Sequence, residues 1–172
     1  MESFIATPLS IRDIRAKAFA LRKSLDLDNS PYFPIVEFVE LILPQIIPEF
    51  EFHIGTEKET GDCHGLTYPE ENCIKIREDV YINATNGKGR DRFTIAHELG
   101  HYILHKSQNI ALARTTSRRI EAYKNPEWQA NTFAAELLMP VNLINPSDTV
   151  LYISDNFGVS FQAAKVRINK IK

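Results

Sequence analysis

Two histidines and a glutamate form the clearest chemical pattern in this sequence, HELGH at residues 97–101. On a helix, residues four apart lie one turn along and about 40° around the axis, so His97 and His101 can reach one ion. Zinc binds histidine nitrogens at about 2.0–2.1 Å, which suits such a pair. Glu98 lies about 100° from His97, off the metal but near its water, where a general base is needed. The pattern therefore predicts a hydrolytic zinc site with Glu98 as the catalytic base.

A third histidine, His105, offers a competing pair with His101. His97 and His105 are separated by about 12 Å of helix rise, so they cannot share one ion. The first pair encloses Glu98, whereas the second encloses Tyr102, and this difference favours His97 and His101 as the ligands. We therefore expect His105 to lie beside the ligands or at the helix end, where a positive charge suits the helix dipole.

A catalytic zinc ion needs a third protein ligand and one open coordination position. Three glutamates further along the chain are candidates: Glu121, Glu127 and Glu136. Glu127 begins a predicted helix whose apolar residues can pack it against the HELGH helix. Glu136 lies nine residues further on, about 180° around the same helix, so at most one of these two can face the metal. Periodicity alone does not choose between them.

Two segments together resemble the ImmA/IrrE family of zinc metallo-endopeptidases. They are RFTIAHELGHYILH at residues 92–105 and EWQANTFAAELLMP at residues 127–140. The resemblance implies that Glu127, which opens the family's ExxAN segment, is the third zinc ligand. It also implies an intracellular bacterial or phage protein that cleaves a protein partner. That partner is typically a helix-turn-helix transcriptional repressor, whose loss releases stress, mobile-element or defence genes.

Hydrophobic periodicity predicts the elements that must position these residues. The predicted helices cover residues 9–25, 35–47, 91–106, 125–139 and two short stretches within 147–172, and the predicted strands cover 50–54, 64–70 and 72–78. Asp91 and Asn125 are the expected N-caps of the two zinc-site helices. The sum is an α+β fold, with a small three-stranded, mostly antiparallel sheet packed against helices. The HELGH helix and the glutamate-bearing helix would form a gluzincin-like zinc site.

The length of 172 residues predicts a single domain, residues 1–172. We expect N-terminal helices in residues 1–48, the sheet in 49–79, the zinc-site helices in 91–140 and a helical pair in 147–172. The sequence shows neither a secretory signal nor a membrane span. Its two cysteines, Cys63 and Cys73, form no CxxC pair, so we expect reduced thiols in the cytoplasm. A thiolate from either would suit the open zinc position, although buried structural thiols are commoner.

Three residues are candidates to stabilise the oxyanion of peptide hydrolysis: Tyr102, Tyr123 and His64. An edge strand within residues 64–78 is expected to hold an extended substrate by strand addition. The sequence does not choose among the three oxyanion candidates.

Two other function classes stay open at this stage. The C-terminal residues 157–172 carry Lys165, Arg167, Lys170 and Lys172 near Gly158, as a helix-turn-helix module would. The net charge of −2 instead favours a packing helix pair with a solvated basic face. The second class is a protein that binds its partner without cutting it, as a toxin–antitoxin component would. The intact HELGH pattern disfavours that class.

Overall fold

The structure is a computed structural model that describes residues 5–106 and 121–171. Its α-helices are α1 (Ile11–Ser24), α2 (Ile35–Glu37), α3 (Leu43–Ile46), α4 (Glu57–Thr60), α5 (Glu78–Thr85), α6 (Gly89–His105), α7 (Pro126–Leu138), α8 (Val150–Phe157) and α9 (Phe161–Ile171). A π-helical segment, Phe38–Ile42, joins α2 to α3, and the strands are β1 (Glu51–Gly55), β2 (Gly65–Tyr68) and β3 (Cys73–Arg77). The α+β class predicted from the sequence is therefore confirmed.

The sheet is mixed, which corrects the expectation of mostly antiparallel strands. Its order is β1-β3-β2, with β1 parallel and β2 antiparallel to the central β3. The 3₁₀ turn Pro69–Glu71 reverses the chain between β2 and β3. The chain reverses direction between β1 and β2 and again between β2 and β3. The strands β1 and β3 therefore run in the same direction, with β2 on the far side of β3. Alternating hydrophobicity reports which face of a strand is buried and carries no information about its direction.

The HELGH helix α6 begins at Gly89, with Lys88 at the N-cap position. The prediction that Asp91 caps this helix is therefore wrong. Asp91 lies in the first turn, where its charge still favours the positive end of the helix dipole. One turn further in, Ile95 and Leu99 are fully buried and anchor the helix in the core. The predicted start of the helix is two residues late because the residue at the true N-cap position, Lys88, makes no side-chain capping hydrogen bond.

Helix α7 packs closely against α6, and a glycine makes this approach possible. A Cβ atom on Gly100 would lie 3.0 Å from the Ala130 carbonyl oxygen and 3.1 Å from its Cα, so a larger residue would push the helices apart. Asn125 caps α7 by accepting hydrogen bonds from the backbone N–H groups of Glu127 and Trp128, as predicted. The cap and the glycine together fix where the first turn of α7 meets α6.

Buried arginines connect the outer elements to these two helices. Arg92 of α6 donates to the Gly158 carbonyl oxygen at 2.8 Å and to that of Phe33 at 2.8 Å, so it ties both the α8–α9 turn and the segment before α2 to the core. Arg22 of α1 donates to the Leu137 carbonyl oxygen at 2.6 Å. These bonds offset part of the cost of burying the two guanidinium groups, although Arg22 Nε has no hydrogen-bond partner among the described residues.

The helix α5 was not predicted, because its eight residues contain only Val80 and Ala84 as fully buried positions. Residues 107–119, whose serine, threonine and arginine content predicts a polar loop, lie outside the described residues. Helices α8 and α9 confirm the predicted pair in the C-terminal tail, with Gly158 in the left-handed conformation between them. No helix in the described ranges has the length and apolar character that a membrane crossing requires.

Candidate metal centre

Helices α6 and α7 bring three potential ligand atoms together. The Nε2 atoms of His97 and His101 lie 3.0 Å apart. The two carboxylate oxygens of Glu127 lie 3.3 Å from His97 Nε2 and 3.2 Å from His101 Nε2. Tetrahedral zinc, bound at about 2.0–2.2 Å, separates neighbouring ligand atoms by about 3.3 Å. The observed distances therefore fit a candidate zinc site made of two nitrogens and a carboxylate.

The three glutamates that the sequence left open have different surroundings. Only Glu127 reaches the histidines, from the first turn of α7. Glu121 is exposed and accepts hydrogen bonds from Tyr123 and Lys124. Glu136 is buried on the other side of α7, where Arg15 and Arg167 bind it. The structure thus brings together the residue set that the family resemblance implied.

The cluster holds the Glu127 carboxylate in its charged form. Hydrogen bonds from His101 and His97 hold the pKa of Glu127 far below its usual range, against the opposing effect of burial. Burial lowers the pKa of His97, but the bond to Glu127 and the nearby charges of Glu98 and Glu127 raise it above its ordinary value. A metal ion must displace the proton that His97 takes up, so acid competes with metal binding here.

Glu98, the expected base, lies in the same cavity as the three potential ligands. It is only 8% exposed, and the Thr67 hydroxyl lies 2.6 Å from its Oε2 atom, to which it donates. Strand β2 lies close against this side chain. A Cβ atom on Gly65 would lie only 2.7 Å from Glu98 Cγ. Gly65 therefore permits β2 to approach α6, and Thr67 then holds the carboxylate in place.

A buried relay behind the cluster orients the ring of His101. Its Nδ1 lies 3.1 Å from His105 Nδ1, and His105 Nε2 lies 2.9 Å from Gln129 Oε1. The Gln129 amide nitrogen donates to the carbonyl oxygens of Thr7 and Tyr123, at 2.9 and 2.8 Å. The Gln129 oxygen must therefore face His105 and accept from its Nε2–H.

The proton positions along this relay follow from that assignment. With a proton on Nε2, a neutral His105 has a lone pair on Nδ1 and accepts from His101 Nδ1–H. Burial, the dominant cause, lowers the pKa of His105 to about 4, so the ring is neutral near pH 7. His101 Nδ1–H is then bonded to His105, so a metal ion that displaces the Nε2 proton facing Glu127 would meet the Nε2 lone pair of His101. His105 therefore lies beside the potential ligands and is also the last residue of α6, the two positions expected for it, but it does not carry the positive charge that suits the helix end.

The other ligand has a simpler partner. His97 Nδ1 lies 3.1 Å from the amide oxygen of Asn131, one helical turn after Glu127 on α7. Such partners fix the ring orientation of metal-binding histidines and raise their basicity. Sequence reasoning assigned no role to Thr67, Gln129 or Asn131. Only the i+4 spacing of Asn131 from Glu127 was a usable signal.

The cavity over the cluster has a volume of about 790 Å³ and includes residues 64–67, from the edge strand β2 and the residue before it. Of the three oxyanion candidates, His64 lines this cavity. The Tyr102 hydroxyl is taken by Asn72, to which it donates at 3.0 Å, and Tyr102 is 2% exposed. The Tyr123 hydroxyl donates to Glu121 at 2.7 Å. His64 is therefore the candidate that the geometry retains.

The two cysteines and the basic tail have different surroundings. Both thiols are free. Cys73 is buried in the central strand, where desolvation raises the pKa of its thiol, while exposed Cys63 lines the cavity. Neither joins the ligand cluster as the structure describes it. In the tail, Arg167 is buried against Glu136 and cannot face nucleic acid, and Lys172 lies outside the described residues.

Comparisons with known proteins agree with this geometry. Residues 52–169 match the model of the IrrE N-terminal-like domain, peptidase family M78. The chain is 30% identical over 89 residues to metallopeptidase ImmA of Bacillus subtilis (strain 168), covering 52% of this chain and 49% of that protein. It is 29% identical over 85 residues to uncharacterized immunity region protein 2 of Bacillus phage phi105, covering 49% of this chain and 52% of that protein. The chain thus spans about half the length of the curated relatives it matches.

Proposed function

The chain belongs to peptidase family M78, the IrrE N-terminal-like metallopeptidases, and we propose that it is a zinc-dependent endopeptidase that cleaves a protein partner. The observation that carries this proposal is the cluster of His97, His101 and Glu127 with Glu98 beside it. Two imidazoles and one carboxylate suit zinc, and three protein ligands leave a coordination position for the reaction.

Each residue of the cluster has a distinct part in the proposed mechanism. His97, His101 and Glu127 hold zinc, which when bound would lower the pKa of a water molecule and polarise a peptide carbonyl. Glu98 takes a proton from the attacking water onto its carboxylate. It then passes this proton to the nitrogen of the departing amine, which would otherwise leave as a poor anion. The Thr67 hydroxyl keeps the Glu98 carboxylate directed into the cavity.

Strand β2 is the proposed binding edge for the substrate backbone. It pairs with β3 on one side and has no second strand partner among the described residues. Its residues line the cavity over the cluster. An extended peptide added to this edge would have its backbone fixed by main-chain hydrogen bonds and its scissile carbonyl near Glu98. His64, just before β2, is the proposed donor to the oxyanion.

We propose a helix-turn-helix transcriptional repressor as the cleaved partner, in the cytoplasm, with release of stress, mobile-element or defence genes as the result. The phage relative is named for an immunity region, which supports a regulatory setting. We also propose that residues 1–172 form one metallopeptidase domain. Helix α1, which precedes the matched residues 52–169, supports this because Arg15 binds Glu136 of α7.

The decisive experiment is cleavage of the repressor encoded beside this gene by the zinc-loaded protein and by Glu98→Gln. We expect the variant to keep stoichiometric zinc and to lose about 10²–10⁴-fold in rate, because the base is removed while the ligands remain. Glu121→Gln, a change of the same kind outside the cavity, is the control and should cleave normally. A Glu98→Gln variant that still cleaves at the normal rate would remove Glu98 from its role.

The ligand assignment has a separate test. His97→Ala should lose zinc, as measured by metal analysis of the purified protein. Stoichiometric zinc in this variant would contradict the ligand set. If the wild-type protein binds the repressor tightly but leaves it intact with zinc present, the non-cleaving alternative replaces the peptidase.

A further inference from the structure

A second depression adjoins the metal cavity and extends it. It has a volume of about 1040 Å³ and lies between the amino end of α6, the outer face of α7 and α9, with the start of α1 at its far side. Four residues line both depressions: His64, Phe93, Thr94 and Asn131. The two therefore form one continuous surface, and we call the second depression, including these shared residues, the α9 groove.

The walls of the α9 groove are largely apolar. Phe93 and Trp128 line it from α6 and α7, and Val166 lines it from α9. Val166 is 42% exposed, and Ile11 and Ile171, which also line the groove, are 49% and 36% exposed. Its volume is at the upper end of the roughly 300–1,000 Å³ of ligand clefts, so it has room for several side chains.

The charged residues of the α9 groove are mostly positive. Four basic side chains line it, Arg15, Arg90, Arg167 and Lys170, against one carboxylate, Glu136. Arg15 and Arg167 share that carboxylate. Arg90 and Lys170 are exposed and form no ion pair within the described parts of the chain. The groove thus has largely apolar walls and two exposed, unpaired cations, Arg90 and Lys170.

We propose that the α9 groove binds the substrate segment on one side of the scissile bond and selects large apolar side chains flanked by aspartate or glutamate. This inference rests on the proposed peptidase function and deepens it. A peptide lying along β2 has its backbone at residues 65–68, and the groove begins at the neighbouring His64. At about 3.3 Å per residue, a few further residues of the same extended peptide would lie along the groove.

Charge complementarity favours a peptide over nucleic acid as the occupant. Two unpaired cations can steer and orient acidic side chains. They are too few to replace the counterions of DNA, whose binding depends on many phosphate contacts. Lys165 shows the contrast on the same helix, because it is exposed but lines neither depression. Among the described basic residues of the tail, Arg167 and Lys170 line the groove, and because Arg167 is paired with Glu136, Lys170 is the one that offers an unpaired charge there.

Binding can be measured without cleavage by using the zinc-loaded Glu98→Gln protein. The probes are a fluorescein-labelled ten-residue peptide of alternating leucine and glutamate, a copy with lysine for each glutamate, and a copy with alanine for each leucine. Fluorescence anisotropy should show that the acidic leucine peptide binds about tenfold or more tighter than either copy. The charge-reversal pair Arg90→Glu and Lys170→Glu, added together, should weaken that binding about tenfold.

The matched control is Lys165→Glu in the same Glu98→Gln background. It makes the same charge change on the same helix and should alter affinity less than twofold. A short DNA duplex should fail to displace the acidic peptide. Equal binding of the acidic and basic peptides, equal loss in the Lys165→Glu control, or displacement by the duplex would each overturn the proposal.

Cleavage gives the second readout and separates the two hypotheses. The wild-type protein, digesting a peptide library from a bacterial proteome, should enrich acidic and large apolar residues on one side of the cut bonds. Arg90→Glu with Lys170→Glu should remove the acidic preference while cutting continues. If the library stays uncut but the acidic leucine peptide binds as expected, the peptidase proposal is contradicted and the proposal that the groove binds peptide is supported. Cleavage that shows no such preference would defeat the groove proposal alone.

Discussion

Two glutamates on α7 show how packing gives the same residue type two unrelated roles. Glu127, in the first turn, leaves its side chain 67% exposed and faces two imidazoles. Glu136, nine residues later, is 2% exposed and lies between two guanidinium groups. Both carboxylates have lowered pKa values, so both are charged. Their pKa shifts have the same direction and do not distinguish a metal ligand from a structural ion pair.

The partners of the two carboxylates make that distinction. Arg167 donates to both oxygens of Glu136 at 2.9 and 2.8 Å, and Arg15 donates to the same two oxygens at 3.0 and 3.1 Å. Glu136 therefore has its hydrogen-bonding capacity filled and joins α1 and α9 to α7. Among the described residues, the ion-pair partners of the Glu127 carboxylate are His97 and His101, both of which can themselves bind a metal. A carboxylate with partners that are potential ligands, in a cavity, is the better functional candidate.

The largest expected effect is a loss of zinc affinity when the Glu127 carboxylate, the proposed third ligand, is removed. Glu127→Gln should reduce zinc affinity by more than about a hundredfold, beyond the 10–100-fold typical of residues that only support a ligand. Competition with a chromophoric chelator measures the affinity. Glu121→Gln is the control and should bind zinc normally. Unchanged affinity in Glu127→Gln would remove the carboxylate from the site.

The converse change should act on stability. Glu136→Leu leaves Arg167 buried without its partner and should lower the free energy of unfolding by about 3–5 kcal/mol. Urea unfolding of the metal-free protein measures it. Glu127→Leu, in the same assay, should change stability little, because that side chain is mostly exposed. If Glu136→Leu proves too unstable to purify, Glu136→Gln should show a smaller loss in the same direction. Equal free energies of unfolding for the Glu136→Leu and Glu127→Leu variants would contradict the structural role of Glu136.

The stabilisation by Glu136 should depend on pH. Burial raises the pKa of Glu136, but the hydrogen bonds from Arg167 and Arg15 outweigh it and hold this pKa below its ordinary value of 4.5. The stabilisation is therefore complete above about pH 4.5 and is lost as the pH falls through the pKa of the folded state. The difference in unfolding free energy between wild type and Glu136→Gln should narrow below pH 4.5. A difference that widens in acid would contradict the ion pair.

The smallest effects concern the residues behind the histidines. Gln129→Leu removes the acceptor that sets the His105 ring and should lower zinc affinity about 10–100-fold. Asn131→Ala should cost about tenfold or less, because water can replace an exposed amide. Chelator competition measures both, and thermal melting of the metal-free proteins checks that each is folded. Zinc binding of normal strength in Gln129→Leu would show that the relay has no influence on His101.

Much of the fold followed from the sequence because it depends on local patterns. The helices α1, α6, α7, α8 and α9 were predicted from apolar residues at helical spacing, and the Asn125 cap was predicted from its residue type and the following proline. The direction of β1 relative to β3 could not be predicted, because alternation is the same in either direction. The short α5 also escaped, because two buried positions make too weak a pattern.

At the candidate metal centre, local geometry and tertiary contacts contributed separately. The pairing of His97 with His101 needs only a helix, because residues four apart face the same side by geometry. The proton positions in the relay needed the structure, since they depend on carbonyl oxygens of Thr7 and Tyr123 that hold Gln129. Those contacts span 122 and 6 residues of chain, and no local pattern encodes them.

The residue order alone predicts two histidines and a glutamate on one helix and a second helix that begins after Asn125 with Pro126. Helical spacing and capping depend on neighbours in the chain, so they can be deduced from the residue order. Apart from the family resemblance, the packing of the helices was needed to show that Glu127 contacts the histidines while Glu136 contacts arginines. That choice depends on which face of α7 packs against α6 and which packs against α1 and α9, and contacts distant in the chain set it.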